Sequence, residues 1–157
     1  MRLEISILII SSLNLQAQAI QNAESRYSRL QYDLKFEQSK LDSLKNIFNG
    51  RVKKIDEEKS KKNSNKDVIT NLMSGSISIT HEIDLEQKKV DGIEKNLENV
   101  KRELSKIYSE KIDSLQEAET KTNISVEESN KLKAEVFSFI EKKMMVAPKT
   151  SLLSFNP

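Results

Sequence analysis

Cysteine and tryptophan are absent from this 157-residue chain, proline occurs twice, glycine three times and histidine once. Without cysteine there are no disulfides, no thiolate metal ligands, no cysteine nucleophile and no lipidated cysteine anchor. The glycines Gly50, Gly75 and Gly92 are scattered, so no glycine-rich loop is available to cradle a phosphate. Aromatic residues make up 5% and apolar residues 36% of the chain, against roughly 45–50% apolar in ordinary globular domains. A wide three-dimensional core is therefore hard to fill, and a narrow hydrophobic seam fits the composition better. Disorder is the competing expectation for such a charged chain, and only periodicity decides between them.

An excess of one charge is also missing. The 26 basic and 24 acidic residues leave a formal net charge of +2. General nucleic-acid binding needs a marked Lys/Arg excess on one face, so it is excluded as an expectation. Only five of the basic residues are arginines, the side chain suited to bidentate phosphate contacts.

Residues 1–19, MRLEISILIISSLNLQAQA, place Arg2 before an apolar run from Ile5 to Leu13, followed by Ala17-Gln18-Ala19. That order is the pattern of a secretory signal peptide cleaved after Ala19. The apolar run is shorter than the roughly 20 residues that span a bilayer. A first helix that stays attached is the alternative. The signal reading implies a bacterial protein that is periplasmic or secreted.

From Ile20 onward the apolar residues step by three and four: Ile20, Ala23, Tyr27, Leu30, Leu34, Leu41, Leu44, Phe48 and Ile55, with Glu37 and Arg51 where the pattern lapses. A second register runs Ile83, Val90, Ile93, Leu97, Val100, Leu104 and Ile107. Sustained a/d spacing of this kind is the mark of a coiled coil. At Tyr108, Ile112 and Leu115 a four-residue step replaces a three, a stutter that unwinds the supercoil locally. Ser125-Val126-Glu127-Glu128 has the form of a capping box opening a last helix, with Leu132, Val136, Phe139 and Ile140 inside it and Pro148 ending it.

Residues 56–67, DEEKSKKNSNKD, contain no apolar side chain. They read as a polar helix that carries Lys59, Lys62 and Lys66 along the seam, with a loop as the alternative. Further on, Ser74-Gly75-Ser76 weakens helix, Ile77 and Ile79 alternate with serines, and Ser78 or Thr80 could cap a following helix. The turn of a helical hairpin is therefore expected near residues 74–80. The arms, over residues 20–72 and 78–122, would run roughly 80 and 67 Å at about 1.5 Å per residue.

The expected architecture is all-α: an elongated antiparallel coiled-coil helical hairpin over residues 20–122, a shorter C-terminal helix over 123–147, and an apolar tail over 148–157. A two-helix seam is thin, so self-association or a protein partner is expected to cover the rest. The tail, with Leu152, Leu153 and Phe155, could pack back, dock elsewhere or lead into a further domain.

Chemistry is sparse. His81 begins His81-Glu82-Ile83-Asp84-Leu85, the start of a zincin pattern without its second histidine, and reads as a surface or capping residue. No nucleophile elbow or S-x-x-K set with a base is present. Carboxylates on coiled coils are mostly solvated or paired with lysine. The expectation is a chain that is not an enzyme, with no catalytic or metal-ligating residue, no cofactor and no small-molecule substrate. The candidate partner-contact residues are Ile77, Ile79, Lys59, Lys61, Lys62 and Lys66. The lysines also leave open a peripheral contact with a membrane or the cell wall.

The leading function is an exported scaffold or adaptor mediating protein–protein interaction at the bacterial cell envelope. In size, mild basicity and long helical arms the chain looks like the Skp/OmpH-type periplasmic chaperones, which implies a holdase. Those proteins pair a strand after the signal with a late strand, whereas IQNAESRYSRL at residues 20–30 reads as helix. A signal followed by a hairpin is also similar to the regulatory coiled coil of murein-hydrolase activators, here without a catalytic domain.

Overall fold

The structure, a computed structural model, describes the backbone of residues 2–120 and 124–147 and the side chains of residues 15–120 and 124–147. The apolar run of residues 5–13, as side chains, and the tail at 148–157 lie outside these. The described residues form three helices: α1 (Arg2–Lys59), α2 (Lys66–Glu119) and α3 (Val126–Met145). No strand occurs among the described residues. It is an all-α antiparallel helical hairpin with a shorter C-terminal helix, as the heptad spacing predicts.

Burial follows the seam. On α1, Ile20, Ala23, Leu41 and Ile55 are buried, and the intervening heptad positions Tyr27, Leu30, Leu34, Glu37, Leu44, Phe48 and Arg51 are half-buried. On α2 the series Ile79, Glu86, Val90, Leu97, Val100 and Leu104 is buried, and then Tyr108, Ile112 and Leu115. The change of step at Tyr108 is the stutter, and helix α2 continues through it without a break.

The turn falls elsewhere than the sequence suggests. Residues 60–65 connect α1 to α2, and residues 74–80 are helical inside α2. Two physical causes explain the correction. First, the α2 seam extends back from Ile83 through Ile79, Ser76, Leu72 and Ile69 without a change of step, and all of these are buried or half-buried. Ile77 and Ile79 look like strand alternation, but in the helix one faces out and the other faces the seam. The hydroxyls of Ser76 and Thr80 donate to Leu72 O at 2.8 Å and Ser76 O at 3.0 Å, so they bond their own helix instead of starting a new one.

Second, the polar segment before it carries better turn chemistry. Asn65 Oδ1 accepts from the amides of Asp67 at 3.0 Å and Val68 at 3.3 Å, which makes Asn65 the N-cap of α2. Asp67 lies in the first turn, where its charge complements the helix dipole. Ser60 Oγ donates to Glu57 O at 2.8 Å, and the amide of Asn65 donates to Glu58 Oε1 at 3.1 Å. Lys61 pairs with Glu58. Those hydrogen bonds, Lys61's first and then Asn65's, hold the Glu58 carboxyl below its ordinary value. Helix therefore persists only to Lys59, and Lys62 and Lys66 lie in and just after the turn instead of on the seam.

Gly75 has a role other than ending a helix. A Cβ built there would meet the guanidinium of Arg51. Arg51 occupies a heptad position where an apolar residue is the rule, and the small Gly75–Ser76 pair opens the room its head needs.

The chain divides into two compact units, Leu30–Asn96 and Met1–Arg29 with Leu97–Pro157. The first, the turn unit, contains the turn and the adjoining stretches of α1 and α2. The Lys45–Gln87 hydrogen bond at 3.5 Å and the Arg51–Gly75 approach show its antiparallel pairing. In the second, the three-helix unit, Val136 of α3 packs on Ile112 and Leu115 with Leu132 and Phe139 around them. Helix α3 opens with the capping box expected from its sequence: Ser125 Oγ accepts from the Glu128 amide at 3.1 Å and the Ser125 amide donates to Glu128 Oε2 at 3.0 Å.

Candidate interaction surface

In the turn unit, one face between α1 and α2 forms an open groove of about 330 Å³, lined by Phe48, Val52, Ile55, Met73, Ile77 and Thr80 among others. Val52 is 37%, Met73 49% and Ile77 73% exposed. These three lie just outside the seam on their helices, so the packing that buries Ile55 and half-buries Phe48 leaves them facing water. Asp56 and Lys59 also line the groove, and Ser76 contributes its small side chain.

Of the six residues expected to contact a partner, Ile77 and Lys59 meet in this groove. Ile79 does not join them; it is buried in the α2 seam at 7% exposure. Lys61 and Lys62 are exposed in the turn and Lys66 opens α2. Lys61 is engaged by Glu58 within the chain. Val52 and Met73 are the residues that sequence reasoning missed. Their signal is positional: each is apolar one place off a seam residue, Arg51 and Leu72, and the two are brought together only when the turn is set at 60–65.

Two polar clusters interrupt the seam. In the turn unit Glu86 is 7% exposed, its Oε2 accepts from Lys89 at 2.9 Å, and its buried Oε1 has no partner. Glu37 lies against it: the Glu86 side chain, followed by the Lys40 ammonium at 2.8 Å, holds the Glu37 carboxyl below its ordinary value.

In the three-helix unit Glu24 Oε1 accepts from Tyr108 at 2.8 Å and from Lys142 at 2.8 Å, tying α1, α2 and α3 together. Burial works against the Glu24 charge, but the Lys142 and Tyr108 hydrogen bonds outweigh it and hold the carboxyl below its ordinary value. Burial, reinforced by Glu24, pushes the Tyr108 phenol upward. The Tyr108 ring meets Phe139 at a centroid distance of 5.8 Å. On α3, Phe137 and Met144 are 68% and 73% exposed.

His81 is exposed. Among the described residues, no group of three or more His, Asp or Glu side chains is placed to hold a metal ion. No described helix is long and apolar enough to cross a membrane. The chain matches no family model, no curated protein and no solved structure.

Proposed function

We propose that the chain is a helical scaffold or adaptor that works by protein–protein contact at the bacterial cell envelope. The observation that carries the reading is the set of large apolar side chains left in water beside a seam that is already closed, above all Ile77 at 73% exposure with Met73 and Val52 next to it. A hairpin built only for its own stability gains nothing from these residues, whereas a binding surface uses them. Export is supported by the signal-like order of residues 1–19. The holdase reading stands second: residues 20–30 are helical here, where the chaperones it resembles carry a strand.

A photo-crosslinking side chain placed at Ile77 in the full chain, expressed in the bacterium that makes it, tests the proposal. The expected result is one or a few discrete adducts with envelope proteins, absent when the probe is moved to the exposed polar position Lys88. Mass spectrometry of the same material is expected to find a mature chain beginning near Ile20. A diffuse smear of adducts would favour the holdase, and no adduct at Ile77 would contradict the scaffold reading.

A further inference from the structure

We propose that the turn-unit groove takes an acidic amphipathic helix of a partner protein. This rests on the scaffold reading and adds the chemistry of the partner. The groove lies between two antiparallel helices, and its lining is mostly aliphatic or aromatic, with Phe48, Val52, Ile55, Met73 and Ile77 beside the polar Asp56, Lys59, Ser76 and Thr80. Val52 and Lys59 on α1, and Met73 and Thr80 on α2, mark two turns on each wall. Two turns correspond to about 10 Å of helix axis. An amphipathic helix that lays residues i, i+3, i+4 and i+7 into such a channel matches that length and shape. Together the three helices would form a local bundle in place of a two-helix seam.

Charge selects the kind of helix. Residues 51–67 hold seven basic side chains, Arg51, Lys53, Lys54, Lys59, Lys61, Lys62 and Lys66, against four acidic ones, Asp56, Glu57, Glu58 and Asp67. Two of the acids are answered locally, Glu57 by Lys53 at 4.0 Å and Glu58 by Lys61, and Asp56 lines the groove with Lys59. Asp67 sits at the N-terminus of α2, where the dipole uses its charge. Lys59, at the groove itself, and Lys62 and Lys66, at the turn, enter no ion pair among the described residues. A surplus of cations around an apolar channel attracts a helix with Leu or Ile on one face and Glu or Asp on its flanks. A second copy of this chain would set the same cluster against itself, which like-charge repulsion disfavours. A flat anionic lipid surface would meet the lysines but would leave the channel between the helices unfilled.

The probe is a fluorescein-labelled helical peptide of about three heptads, with Leu at the i, i+3, i+4 and i+7 positions and Glu on the flanks. Its anisotropy is read against the full chain. Saturable binding is expected, weakened at least about tenfold by Ile77→Asp and several-fold by added salt. Lys59→Glu combined with Lys62→Glu is expected to reverse the preference toward a peptide with Lys in place of Glu. All three positions are exposed, so circular dichroism should show each variant as helical as the parent.

The proposal is overturned if the acidic peptide fails to bind, if Ile77→Asp leaves binding unchanged, or if the acidic and basic peptides bind alike. It is also overturned if vesicles of anionic phospholipid bind the chain and displace the peptide, with Ile77→Asp without effect on either. Crosslinks at Ile77 in the cell without peptide binding would sink this inference and leave the scaffold reading standing. Peptide binding without crosslinks would do the reverse.

Discussion

Leu104→Ala should lower the free energy of unfolding by about 2–5 kcal/mol, the usual cost of truncating a fully buried leucine. Leu104 has 0% exposure, and Ala23 and Tyr108 of the same unit are 1% and 2% exposed. A cavity left at so fully enclosed a position has little means of collapsing. The seam is narrow, and each helix offers it only one apolar side chain every three or four residues. A single lost layer is thus a large part of the stability, which for whole domains is only about 5–15 kcal/mol. Urea unfolding followed by far-ultraviolet circular dichroism measures it. Leu85→Ala is the control: Leu85 is 47% exposed, and its truncation should stay within about 0.5 kcal/mol. A loss below about 1 kcal/mol at Leu104 would mean that α1 and α2 do not close on it.

Glu86→Leu should have the opposite sign and raise stability by about 1–3 kcal/mol. Glu86 occupies a seam position in step with Ile79 and Ile93, yet one of its carboxylate oxygens is buried without a partner. Its other oxygen is held by Lys89, whose side chain is 57% exposed. A largely solvated ammonium returns little of what burying the carboxylate costs. The Glu37 carboxyl shares a hydrogen bond with the Glu86 side chain, but Oε1 still has no partner. Leucine removes the orphan oxygen, fills the layer with apolar atoms and leaves Glu37 its pairing with Lys40. The melting temperature should rise by roughly 2–4 °C per kcal/mol gained. Glu86→Ala separates the contributions: it deletes the orphan but leaves a cavity, so its gain should be smaller. A fall in melting temperature with Glu86→Leu would mean that the carboxylate has net favourable partners. A polar residue kept in a seam despite such a cost can fix register, as a buried asparagine does in coiled coils.

Most of the architecture is legible in the sequence because it rests on one strong periodic signal. Ile20 to Ile55 and Ile83 to Leu115 carry their three- and four-residue steps openly, and the stutter at Tyr108 and the capping box at Ser125–Glu128 lie where spacing puts them. The turn is not legible in the same way, for identifiable reasons. Gly75 and the serines around it have the composition of a turn, but there they make space for Arg51 inside a continuous helix. The actual turn at 60–65 follows a lysine- and glutamate-rich stretch of α1 without a glycine or proline to mark it. Its decisive residue is Asn65, an N-cap recognisable by Asp67 two places on and by the apolar run that begins at Val68. Half-buried Leu72 and buried Ser76 and Ile79 then show that the seam never stops where the glycine suggests it does.

The groove depends on that shift. With the turn at 74–80, Ile77 and Ile79 would both project from a loop and Val52 would lie far along the other arm. With the turn at 60–65, Ile79 goes into the seam, and Val52, Met73 and Ile77 come together as one surface. Single residues such as Ile77 and Lys59 can be picked out from the sequence as contact points. Their neighbours across the groove depend on register, which is a tertiary property.

The groove stands or falls on register, and the absence of native cysteine makes register directly measurable. A Lys45→Cys/Gln87→Cys chain treated with a short bismaleimide should cross-link efficiently within one molecule, because those side chains meet at 3.5 Å. An Asp67→Cys/Gln87→Cys chain should not, because both positions lie on α2, about 30 Å apart along the helix axis. The reverse outcome, cross-linking of 67 to 87 and none of 45 to 87, would put the turn back at residues 74–80 and dissolve the groove.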